Sequence, residues 1–161
     1  WTKSKAGADG IPGGGNLIPY SRFEGNRTDV MQADLVGWSS YTNHSGGMLC
    51  KVNFDPVWIL AGENTAYISL DTTSANGTVM LAYPSRDIPV RAGQRYQWQA
   101  RLGNHRCVYA HASIEWYNSS MGLAGYSGGS FVPSNVNGGT TLASYGLSWG
   151  IAEAPAGAVF A

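Results

Sequence analysis

From residue 16 to the end, apolar and polar residues alternate in short runs, each closed off by a cluster of Gly, Asn, Asp, Ser or Pro. The runs fall at 16–19, 35–41, 47–53, 65–71, 79–83, 95–102, 108–121, 141–149 and 158–161. No window of about 11 residues or more sustains a 3.6-residue apolar period with capping residues at its ends. Helical bundles and doubly wound α/β enzymes are therefore disfavoured. The pattern predicts an all-β chain built as a β-sandwich of two antiparallel sheets.

A length of 161 residues suits one domain with a real core. Residues 1–15 stand apart: Gly7 to Gly15 form three Gly-X-Y triplets, too few for a free-standing collagen helix. They read as a Gly-rich linker, with a trimerising collagen-like stub as the alternative. The sandwich is assigned to 16–161. Because the chain begins at Trp1 and stops inside its last run at Ala161, it is expected to be a piece of something longer, truncated in its final strand.

Only 12% of residues are charged, against 22 Gly, 9 Tyr and 6 Trp, so polar surface comes largely from Ser, Thr, Asn and Gln. Such a profile suits an extracellular or virion-type surface. The 10 basic and 10 acidic residues cancel, leaving no field to attract nucleic acid or an anionic membrane. No apolar stretch approaches a membrane span, and a basic n-region followed by an apolar h-region is missing at the start. Cys50 and Cys107 allow one disulfide or two thiols, and both readings stay open.

Successive strand side chains point to opposite sides, so two runs can be read face by face. In 95–102, Tyr96, Trp98, Ala100 and Leu102 form an apolar face, while Arg95, Gln97, Gln99 and Arg101 form the other. In 108–117, Val108, Ala110, Ala112, Ile114 and Trp116 are apolar, and Tyr109, His111, Ser113, Glu115 and Tyr117 lie opposite. If these two strands pair, Gln97, Gln99, Arg101, Tyr109, His111, Glu115 and Tyr117 merge into one ligand-binding patch. Amides and carboxylates bond sugar hydroxyls, and aromatic rings cover apolar C–H faces. The alternative is an ordinary wet sheet face with cross-strand pairs.

Catalytic signatures are sparse. Glycoside hydrolysis needs two facing carboxyls, and Glu115 is the acid on the candidate face. His44, His105 and His111 are scattered, and His111 and Glu115 lie about 13 Å apart along a strand. GxSxG, P-loop and dinucleotide fingerprints do not occur. A binding protein, not an enzyme, is expected.

The run Asn16-Leu17-Ile18-Pro19, then Phe23-Glu24-Gly25 and Gly37-Trp38, resembles the opening of jelly-roll carbohydrate-binding modules of the family 4, 9 and 22 type. Val90-Arg91-Ala92-Gly93 through Tyr96, Trp116-Tyr117-Asn118, and Ala154-Pro155-Ala156-Gly157-Ala158 follow in the family's order. The resemblance spans about 16–161 and implies a jelly-roll, galactose-binding-domain-like sandwich. It also implies a structural calcium, with Glu24 as a candidate ligand; a hydrogen-bonded strand-end carboxylate is the alternative role. Tyr20-Ser21-Arg22 departs from the family's usual lead-in to Phe-Glu. The head, Trp1 to Gly13, resembles Gly-rich joints in tail-tip and host-specificity proteins of tailed phages and prophages.

Trp38, Trp98 and Trp116 are expected in the core. Trp58 is the candidate exposed platform, and Trp149 is undecided. The function expected is non-catalytic recognition of a host cell-surface polysaccharide by a virion-tail or extracellular protein, with other tail domains as partners, possible homotrimerisation and no required cofactor. The alternatives are a structural spacer or oligomerisation domain without a ligand, and a targeting module of a secreted polysaccharide hydrolase.

Overall fold

The computed structural model describes residues 17, 38–42, 48–52, 57, 66–70, 79–82 and 86–161. Among them, regular structure is strand throughout apart from a 3-10 turn at Leu142–Ser144. The chain is all-β there, as the alternation predicts. Residues 1–15, Glu24, His44 and Trp58 lie outside the described residues.

Among the described residues ten strands occur: β1 Ser39–Thr42, β2 Met48–Val52, β3 Ala66–Leu70, β4 Val79–Ala82, β5 Arg95–Leu102, β6 Tyr109–Ala110, β7 Ser113–Tyr117, β8 Leu123–Gly128, β9 Val132–Pro133 and β10 Gly146–Glu153. They form antiparallel ladders β1–β4, β2–β3, β5–β10, β6–β9 and β7–β8. Strands β2, β3 and β4 fall within the predicted runs, β1 overruns its run by one residue at Thr42, and β5 coincides with its run. The run at 108–121 is split, and the one at 141–149 moves toward the C-terminus, its opening residues forming the 3-10 turn instead. Strands β8 and β9 were not anticipated.

β5 and β10 pair along their whole lengths, from Gly146 opposite Leu102 to Glu153 opposite Arg95. The expected pairing of 95–102 with 108–117 is therefore corrected. Instead, 109–117 folds back on 123–133 as a long interrupted hairpin. At the interruption Gly129 donates its N–H to the Ala112 carbonyl, 2.9 Å away. A Cβ on Gly129 would come within 2.8 Å of that oxygen and 3.0 Å of the Trp149 oxygen. Glycine is what lets the three backbones meet here.

Ser130 extends the β5–β10 ladder on the far edge of β10. Its N–H donates to the Trp149 carbonyl at 2.8 Å, and its Oγ accepts from the Trp149 N–H at 3.0 Å. Ser148 lies beneath, fully buried: its Oγ donates to the Ser130 carbonyl at 2.6 Å and accepts from the Ala112 N–H at 2.8 Å. One side chain thus joins β10, the β8–β9 connection and the β6–β7 connection. The β5–β10 and β6–β9 pairs are separate two-stranded ladders, brought side by side by Ser130, which precedes β9.

Val90, Trp116, Ala154 and Ala158 form the core cluster, with Tyr96, Ile114, Ala124 and Ala152 packed against it. The Tyr96 and Trp116 rings lie 5.6 Å apart and tilted by 58°. Trp116 is 1% exposed and satisfies its indole N–H on Ser127 Oγ at 2.9 Å. Burying such a ring contributes roughly 4–6 kcal/mol of gross transfer free energy. Trp98 is buried too, while Trp38 is half-buried. The final residues are held between two earlier segments: Val90 N–H donates to the Val159 carbonyl, and Tyr117 N–H to the Phe160 carbonyl.

Candidate functional site

The layer β5–β10–β9–β6 has two faces. Trp98, Ser148, Val132 and Asn104 are buried on or beside the inner one. A Cβ on Gly146 would strike Val132, which places those two on the same side. By strand parity the outer face carries Gln97, Gln99 and Arg101 of β5, Leu147, Trp149 and Ile151 of β10, Phe131 and Pro133 around β9, and Tyr109 of β6. Large apolar side chains are well exposed there: Phe131 by 63%, Tyr109 by 52% and Trp149 by 48%.

Trp149 and Gln99 are cross-strand partners. Because the N–H and C=O of Trp149 both turn to Ser130, the pair is of the non-hydrogen-bonded kind, with Cα atoms about 4.5 Å apart and side chains close. Leu147 and Arg101 share that geometry one pleat away. The indole therefore stands beside an amide, with a guanidinium on the diagonal.

A second aromatic group continues the face. Tyr109 stacks on Phe131 at 4.5 Å, and His111 meets the edge of Phe131 at 5.2 Å. His111 Nε2 shares a hydrogen bond with the Tyr126 hydroxyl at 2.7 Å. Offset π-stacking and edge contacts of this kind stiffen rings that solvent would otherwise leave loose.

Gln97, Gln99, Arg101 and Tyr109 thus share one face, joined through β10 and β9 and not by direct pairing of their strands. His111 is half-buried within the aromatic group. Tyr117 does not join them. A register shift between Trp116 and Tyr117 breaks the alternation, so both residues are buried and the expectation that Tyr117 points outward is corrected. Its hydroxyl donates to Glu115 Oε2, and Arg86 lies 4.5 Å above its ring. Burial pushes the Tyr117 hydroxyl above its ordinary value of 10.0, the Glu115 hydrogen bond and charge push the same way, and Arg86 opposes them. Glu115, half-buried, is occupied by this contact. Val108, assigned to the apolar side, is 86% exposed because it precedes β6.

Trp149, Phe131 and Tyr126 complete the face and were not anticipated as contacts. In 146–153 the large apolar residues Leu147, Trp149 and Ile151 alternate with Gly146, Ser148, Gly150 and Ala152. Alternation alone would send the large set inward, but Trp98 and Val132 fill the space beneath the small set. An unbroken run of small residues opposite the large ones is the signal that marks this inversion.

Cys107 is an exposed free thiol. Among the described residues, no three His, Cys, Asp or Glu side chains gather as a metal site. Glu24, the calcium candidate, lies outside those residues. Comparison with family models, curated proteins and solved structures gave no match.

Proposed function

We propose that this chain is a non-catalytic carbohydrate-binding module, a jelly-roll, galactose-binding-domain-like sandwich that takes a glycan on the outer face of β5–β10–β9–β6. The observation that carries this reading is the exposed Trp149 paired with Gln99, on a face that continues into the Tyr109–Phe131 stack. A pyranose offers apolar C–H faces to rings and hydroxyls to amides, and this surface presents both. Exposed apolar side chains scattered singly need no explanation, but a group of them on one face marks an interaction site.

Among the described residues, the placement of the acids favours binding over hydrolysis. Glu153 stands opposite Arg95 at one end of the face, and Glu115 is engaged by Tyr117. Neither is placed as one of two carboxyls flanking a bond above Trp149. The setting we propose, a virion tail or other extracellular protein reading a bacterial surface polysaccharide, rests on the sequence resemblances.

A bacterial-glycan array probed with the wild-type chain, Trp149→Ala and Gln99→Ala tests the reading. Both variants are expected to lose about tenfold or more in affinity while melting near the wild-type temperature. Equal binding by all three would overturn the assigned face. A parallel array and melting curve in chelator test the calcium that the resemblance implies: unchanged binding and melting would remove that element alone.

A further inference from the structure

Arg95 and Arg101 occupy the two ends of the outer face of β5, and their surroundings differ. Arg95 is in register with Glu153, whereas Arg101 is in register with Leu147. Opposite charges facing each other across a ladder compensate. Arg101 receives no such compensation from its cross-strand neighbour. β5, β6 and β9 carry no acid, and β10 carries Glu153 alone. Six residues of strand separate Glu153 from the level of Arg101, about 20 Å. That exceeds the physiological screening length of about 8 Å, so the Glu153 charge is scarcely felt at Arg101.

Arg101 is also diagonal to Trp149, a separation of about 7–8 Å between neighbouring pairs on one sheet face. A sugar ring lying on the indole can therefore direct an exocyclic group to the guanidinium while Gln99 bonds a ring hydroxyl. The guanidinium is a planar fork that matches a carboxylate through two parallel N–H···O bonds. We infer that the face selects glycans bearing a carboxylate, of the uronic-acid class, with Arg101 receiving the carboxylate and Trp149 the adjoining ring. This rests on the glycan-binding reading and adds the chemical class of the ligand.

Calorimetric titration with oligogalacturonate, oligoglucuronate and oligoalginate, their carboxyl-reduced counterparts and dextran sulfate tests the inference on wild type, Arg101→Gln, Arg101→Lys and Trp149→Ala. Reducing the carboxylates is expected to weaken wild-type binding about ten- to hundredfold. Arg101→Gln should lose as much on the acidic glycan and far less on the reduced one. Arg101→Lys should recover only part, because an ammonium lacks the fork. Wild-type binding to reduced and acidic glycans with equal affinity, with Trp149→Ala losing both, would overturn the carboxylate preference and leave glycan binding standing. Dextran sulfate binding as tightly as the uronates, with full recovery by Arg101→Lys, would overturn it in favour of unspecific charge attraction. If no glycan binds, or Trp149→Ala binds as wild type does, both readings fall.

Discussion

Trp98 covers Gly150, its partner in the β5–β10 register: a Cβ on Gly150 would lie inside van der Waals contact with three atoms of the indole. The ring is anchored there by its Nε1–H, which donates to the Ala112 carbonyl at 3.2 Å. A large residue and a glycine face each other across the ladder, and the core has no room for more.

Gly150→Ala should accordingly destabilise the fold by about 1–3 kcal/mol, the usual cost of overpacking. Trp98 cannot swing aside without giving up its hydrogen bond. In urea the midpoint should fall with the slope unchanged. An unaltered midpoint would show that the indole does not rest on this glycine.

Ser148→Ala should cost about 1–3 kcal/mol, because the Ala112 N–H and the Ser130 carbonyl both lose a partner in a partly buried place. Faster hydrogen exchange at the Ala112 amide should accompany the loss, as opening becomes local. The same change loosens the segment that carries Phe131. Wild-type protection at Ala112 in the variant would contradict the shared role.

Tyr117 links the structure to alkaline pH. Its hydroxyl ionises above 10.0 in the fold and near 10.0 in the unfolded chain, so between those values the folded state holds the extra proton. Unfolding free energy then falls as pH rises. The contribution is fully present below about pH 10 and is lost as pH climbs through the folded value. The stability gap between wild type and Tyr117→Phe should be constant from neutrality to about pH 10 and shrink above it. A gap that widens there would reverse the assignment.

Much of the outer face was legible from alternation. Tyr96 and Trp98 turn inward and Gln97, Gln99 and Arg101 outward, because side-chain direction in a strand follows from local pleating. Tyr117 was misread because one register shift after Trp116 undoes the count. Strand β8 was missed because Gly125 and Gly128 look like turn residues. Both lie within the strand, and at Gly125 a Cβ would come within 3.0 Å of Pro155.

The sequence by itself determined that the chain makes strands and which residues of each uninterrupted strand share a side, since both depend on neighbours a few positions away. Tertiary structure alone decided that β5 pairs with β10, that the small residues of β10 face inward beneath Trp98, and that Trp149 stands beside Gln99 and Arg101. Those outcomes depend on segments nearly 50 residues apart filling one another's space, and a two-residue period carries no information about its partner.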